Sequence, residues 1–175
     1  MVQHVAFLRS VNVGKRTVKG PELVAAFEAL GLVRPWTFLA SGNVGFEAPS
    51  GSPVDLGDRL TAHLGEVLGF EVPTVVRTLE ALSQAAAGDP FDGWGTRFVA
   101  FARLPLPDGT LEALAQVGSA ADRFAVDGAD LQWATAGGYS ASVFGGPLLE
   151  KVVGVPLTVR KATTLGRLVA KAAAS

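Results

Sequence analysis

Two stretches near the start of the chain, VAFLR at residues 5–9 and VPTVVRTLEAL at 72–82, return in its second half as VAFAR at 99–103 and VPLTVRKATTL at 155–165. Each pair keeps its place in the order of elements, and that correspondence decides the fold. A short apolar run bounded by polar residues is the mark of a buried strand. The first pair therefore predicts strands over residues 4–9 and 98–103, and the second predicts strands over 72–77 and 155–160, each leading into a helix.

The segments between the repeats fill in the same pattern twice. SVNVGKRTVKG at 10–20 is a glycine-broken loop, and Pro21 suits the first turn of a helix in which Leu23, Phe27 and Leu30 share a face before Gly31 ends it. Residues 36–40 and 44–46 read as a hairpin around Ser41, Gly42 and Asn43. Leu56, Leu60, Leu64 and Leu68 step by four, so residues 51–70 are helical despite Gly57 and Gly65. Thr78 is placed to cap a helix over 78–87 with Glu80 in its first turn.

After the turn-rich GDPFDGWG at 88–95 the series restarts with the strand at 98–103 and a helix over 109–117. A second hairpin follows, with strands at 124–126 and 131–134 around Asp127-Gly128, then helices over 148–153 and 165–174 flanking the last strand. The expected fold is α+β: two duplicated ferredoxin-like (βαββαβ) subdomains, residues 1–88 and 89–175, each followed by an extra helix. Helices on one face leave the other face of each sheet needing cover, from the other half or from another chain.

Composition narrows the function classes. Apolar residues make up 49% of the 175, so a packed core is expected, and a formal net charge of −1 gives no global attraction to nucleic acid or to an anionic membrane. The absence of cysteine excludes a disulfide framework, thiolate metal sites and cysteine nucleophiles. No stretch approaches the ~20 apolar residues needed to cross a bilayer, and MVQHVAFLRSVNVGKR lacks the basic lead and cleavage site of a secretory signal. The expected location is the cytoplasm, without a membrane partner.

In the ferredoxin-like order the first two strands run parallel, which brings the loop after the first strand to the same sheet edge as the first hairpin. That edge would collect Arg9, Asn12, Gly14, Lys15, Arg16 and Lys19 from the loop with Ser41, Gly42 and Asn43 from the hairpin. Several cations without a carboxylate, beside glycines that admit backbone N–H groups and near a helix N-terminus, suit a small anion. Such charges also serve a loop simply by being solvated. The stretch is neither a GxxxxGK[ST] phosphate loop nor a GxGxxG dinucleotide pattern. Arg77 and Arg160, at equivalent ends of the last strands, form a secondary candidate pair for an anionic ligand or a partner carboxylate.

Other chemistry finds little support. His4 and His63 have no second histidine at metal-ligand spacing, Ser41 is not in a GxSxG elbow, and neither a metal nor a cofactor is indicated. The strand order is shared with RNA-recognition modules, and Phe7 and Phe46 fall on the expected central strands, but GNVGFE lacks the basic, multi-aromatic signature. Lys151, Arg160, Lys161, Arg167 and Lys171 run without an intervening carboxylate, as a basic face or as dipole-complementing residues of the last helix.

Taken in combination, LRSVNVG at 8–14, SGN at 41–43, VVRT at 75–78, DPF at 89–91, DRFAV at 122–126 and LLEK at 148–151 resemble a bacterial family, domain of unknown function 1697. The resemblance implies an α+β fold of two subdomains and no known activity, cofactor or substrate. Ser10 stands where the family has glycine. SVFG at 142–145 keeps the serine of the family's SKLT but not its lysine and threonine, and RKATT at 160–164 keeps the arginine and last threonine of RNWNT. The functional expectation is a small anionic or phosphorylated ligand at the 9–20 and 41–43 edge, bound or turned over. A protein-interaction or oligomerisation module and single-stranded RNA binding are the alternatives.

Overall fold

The computed structural model describes residues 1–40 and 42–175; Ser41 lies outside the described residues. These form eight strands in two four-stranded antiparallel sheets, with six α-helices. They divide into two compact units, Met1–Leu82 with Leu168–Ser175, and Ser83–Arg167.

The first unit holds β1 (Val2–Leu8), α1 (Gly20–Ala29), β2 (Val33–Phe38), β3 (Asn43–Ala48), α2 (Pro53–Leu68) and β4 (Thr74–Thr78), with strand order β2-β3-β1-β4. Successive side chains of a strand point to opposite faces. Ala6, Leu8, Val44, Phe46, Ala48 and Val76 therefore share one face, where they pack with Leu23 and Phe27 of α1 and Leu56, Leu60 and Leu64 of α2 in one core. Those helix positions are the ones the apolar spacing selects. The other face of β1 is buried as well, with Val5 and Phe7 fully shielded.

Two close approaches fix this unit. Thr61 of α2 accepts the Thr74 N–H at 3.0 Å and donates to the Gly57 carbonyl at 2.8 Å, so the helix satisfies the start of an edge strand. Across β2 and β3 the Trp36 ring lies on Gly45, where an added Cβ would sit 2.2 Å from ring carbons. Lys171, near the end of the last helix, sits over the rings of Trp36 and Phe38 and donates to the Thr37 carbonyl at 3.2 Å.

The second unit holds β5 (Thr96–Phe101), α4 (Thr110–Val117), β6 (Asp122–Asp127), β7 (Asp130–Thr135), α5 (Leu148–Val153) and β8 (Thr158–Lys161), with order β6-β7-β5-β8. Its core face carries a row of aromatics, Phe124, Trp133 and Phe98, on directly paired positions of three strands. Phe144 packs edge-on against Phe124, and Leu114, Leu149 and Val153 complete the core. Helices α3 (Leu79–Ala87) and α6 (Ala162–Ala173) follow the last strands, and Thr78 caps α3 through the Ala81 N–H as its sequence predicts. Arg77 pairs with Val5 and Arg160 with Val99, so the repeated segments occupy the same register in both sheets.

Some boundaries move. β2 starts at Val33 rather than 36, through an irregularity between Val33 and Trp36 where Arg34 takes a left-handed backbone next to Pro35. The second hairpin turns on Gly128-Ala129, because Asp127 is still paired with Asp130. β8 begins at Thr158, later than the apolar run suggests.

Gly45→Ala should lower stability by about 1–3 kcal/mol through overpacking, and less when combined with Trp36→Ala. Urea unfolding of the single and double variants gives that comparison, and strict additivity would contradict the contact. His4 is buried against Phe46, with Nδ1 2.9 Å from the Val2 carbonyl, and burial lowers its pKa from the usual imidazole value. The unfolded chain therefore takes up a proton near pH ~6.5 that the folded chain refuses, and stability falls as pH drops through that value. The urea midpoint should decline between pH ~7.5 and ~5.5, and His4→Gln should flatten the decline.

Candidate functional site

The structure brings the basic loop and the hairpin together at the C-terminal edge of β1. The Leu8 N–H donates to the Gly42 carbonyl at 2.8 Å, and the Arg9 N–H to the Pro73 carbonyl at 2.9 Å. Asn12 ties the two segments: its amide donates to the Ala40 carbonyl while its side-chain oxygen accepts the Val18 N–H at 2.9 Å. Gly42 is buried with φ +77, and a Cβ there would meet the Leu8 carbonyl at 3.1 Å. Asn43 is buried and donates to the Phe38 carbonyl at 2.9 Å. Asn12, Gly42 and Asn43 thus build the edge, and the cations are what it presents.

Arg9 is half-buried, whereas Lys15, Arg16 and Lys19 are exposed. Arg16 is committed to the end of α2, its guanidinium carbon 4.0 Å from the Phe70 ring centroid. Gly14, with φ +64, opens a tight turn closed by the Arg16 N–H on the Val13 carbonyl at 3.1 Å. The N–H groups of Gly14 and Lys15 in that turn take no partner among the described residues. The start of α1 is less available than its sequence suggests. Glu22 accepts the Lys19 N–H at 2.7 Å and places its own carboxylate at the helix N-terminus.

Ser10 has a left-handed backbone, φ +59, in the position where the resembling family carries glycine. A side chain there costs about 1–2 kcal/mol that glycine avoids.

Arg77 and Arg160 each donate to the carbonyl of the preceding residue at 3.0 Å, one in each unit. Burial pulls the Arg160 pKa down to about 10. Phe7 and Phe46 are buried in the first unit, so neither offers a ring for base stacking. Val5, Phe7, Val99 and Phe101 are fully buried within the single chain, so the middles of both sheets are already covered. His63 meets the Ala26 carbonyl at 2.9 Å as a satisfied side chain. No group of three His, Asp or Glu among the described residues is placed to hold a metal.

A second polar centre, absent from the sequence reading, lies in the other unit. Asp122 accepts the Trp133 indole N–H at 2.8 Å and the Ser142 hydroxyl at 2.7 Å on one oxygen, and the Ser119 hydroxyl at 2.6 Å on the other. Burial raises the carboxyl pKa, but the hydrogen-bonding side chains of Ser119, Ser142, Trp133 and Thr135 outweigh it and hold the group below the usual carboxylate range. The one available sequence signal was Trp133, since a buried indole needs an acceptor. Asp89 does comparable structural work, accepting the Phe91 and Gly93 N–H groups at 3.0 and 2.8 Å.

These features define an α+β protein of two four-stranded sheets with a basic loop edge on the first and a buffered carboxylate on the second. The chain belongs to the family described as protein of unknown function (DUF1697), whose model matches residues 1–131. Both altered segments, 142–145 and 160–164, lie beyond that match. The fold is similar to that of a conserved bacterial protein, SP0830, from Streptococcus pneumoniae, at 22% identity over 98% of each chain and a TM-score of 0.72. Among curated proteins no sequence matches the chain. No helix of the described residues is long and apolar enough to cross a membrane.

Ser10→Gly should raise stability by about 1 kcal/mol, or roughly 2–4 °C in Tm for a chain of this size. Differential scanning calorimetry measures it directly; a lower Tm would mean that the serine hydroxyl outweighs the backbone strain.

Proposed function

We propose that the chain binds a small anionic or phosphorylated molecule at the edge formed by the 9–20 loop and the 41–43 hairpin. The observation that carries this reading is the Asn12 tie, which spends one neutral side chain on holding a loop that bears Arg9, exposed Lys15 and Lys19, and the Gly14 and Lys15 N–H groups, which take no partner among the described residues. N–H donors already held in a turn lose little freedom when an anion arrives, and charge-assisted bonds from the lysines and arginine are the stronger kind. Glu22 already occupies the start of α1, so the attraction comes from side chains and the Gly14 turn.

The same reading takes residues 1–88 and 89–175 as duplicated ferredoxin-like subdomains of a cytoplasmic protein. Equal strand orders and the shared register of Arg77 and Arg160 support it. Only the first copy carries the basic loop after its first strand: its counterpart, RLPLPDG at 103–109, keeps Arg103 in the place of Arg9 but has no lysine and is proline-rich.

Inorganic pyrophosphate, nucleoside monophosphates and sugar phosphates, screened by thermal shift and titrated by calorimetry, test the proposal. At least one should raise Tm. Lys15→Ala and Arg9→Ala should each weaken it roughly tenfold, the worth of one charge-assisted bond. Asn12→Ala should weaken it without removing a charge. A stabiliser indifferent to both Arg9→Ala and Lys15→Ala would remove the site, as would a screen without a stabiliser.

A further inference from the structure

The second unit contains a cavity of about 480 Å³ between α4, the start of β6 and the segment around Phe144. That volume suits a small ligand. Leu111, Leu114, Ala115, Phe124 and Phe144 make its wall largely apolar, and Asp122 supplies a charge at one place in it. The Asp122 carboxylate is held by neutral donors, Ser119, Trp133 and Ser142 with Thr135 beside them, and none of its partners among the described residues is a cation. The neighbouring Arg123 is turned elsewhere, its guanidinium carbon 4.1 Å from the Trp94 ring centroid.

The surroundings of the carboxylate indicate what a ligand would bring. Each carboxylate oxygen can accept about two hydrogen bonds. One oxygen already takes the indole and the Ser142 hydroxyl, the other takes the Ser119 hydroxyl, and the buried Thr135 hydroxyl on the paired strand also faces the carboxylate. An ionised, half-buried carboxylate that lines an apolar wall with neutral dipoles and no cation around it is electrostatically incomplete. Its complement is a positive N–H donor joined to an apolar body.

We propose that this cavity binds a small organic cation, an ammonium group on an aliphatic or aromatic body, with the ammonium on Asp122 and the body against Leu114, Phe124 and Phe144. The Ser119, Trp133 and Ser142 bonds fix the carboxylate before the ligand arrives, so binding costs little rearrangement. The site is independent of the anion edge, sharing no residue with it.

Phenethylammonium and hexylammonium chloride, with 2-phenylethanol as the neutral counterpart, are titrated into the full chain at constant ionic strength. Binding is followed by two-dimensional NMR on the Trp133 indole N–H. The ammonium ions should saturate with dissociation constants at or below about 1 mM, and the alcohol should bind at least tenfold more weakly, a difference of about 1.4 kcal/mol. Asp122→Asn should abolish that preference. Ala115→Trp fills the cavity from an exposed helix position and leaves the Asp122 bonds intact, so it should abolish binding with the fold retained. The proposal is overturned if neither cation saturates, if amine and alcohol bind alike, or if a folded Ala115→Trp variant binds the amine as wild type does.

Discussion

In each sheet the first strand of the half lies between two antiparallel neighbours that come later in the chain, β3 and β4 around β1, and β7 and β8 around β5. The backbone of β1 therefore cannot be satisfied until the hairpin and the last strand of its unit have both arrived. With Val5, Ala6 and Phe7 shielded on both faces as well, the strand has no solvent-facing side on which errors of register are cheap. A one-residue slip would exchange Phe7 for Ala6 across the sheet and put Arg77 where Val76 belongs in the core. The placement of β1 thus fixes where its C-terminal end emerges, and with it the position of the Arg9 to Lys19 loop against the hairpin.

This constraint explains what was legible in the sequence. The repeats VAFLR/VAFAR and VPTVV/VPLTV are the central strand and its edge partner, where burial demands apolar residues and leaves little choice. The leucine steps of α2 and the threonine cap of α3 are equally direct. The start of β2 is illegible because its first residues, Val33, Arg34 and Pro35, are exposed or irregular, and no period-two pattern records an interrupted strand. The start of β6 is hidden for the opposite reason: it begins with Asp122, a polar residue whose partners lie on other segments.

The two candidate sites differ in the same respect. The basic edge could be anticipated because topology alone joins the ends of two parallel strands, whereas the hold of Asn12 and Asn43 on backbone carbonyls follows from no sequence pattern. The Asp122 centre gathers Ser119, Trp133 and Ser142 through a hairpin, a 3-10 turn at Tyr139–Ala141 and the loop that follows it, and no spacing rule connects them. Charge is arranged oppositely in the two places. At the edge, cations gather with little acid nearby; in the cavity, an anion is held by neutral dipoles alone.

The placement of the three tryptophans has an optical meaning. Trp36 lies against Gly45 beneath the Lys171 ammonium in the first unit, while in the second Trp94 sits under a guanidinium and Trp133 is wholly shielded with its indole on a carboxylate. An indole's emission follows the polarity and charge around its ring. Each unit therefore carries native fluorophores in a distinct electrostatic setting, and single Trp→Phe replacements would turn the chain into an unlabelled, unit-by-unit reporter of its own melting.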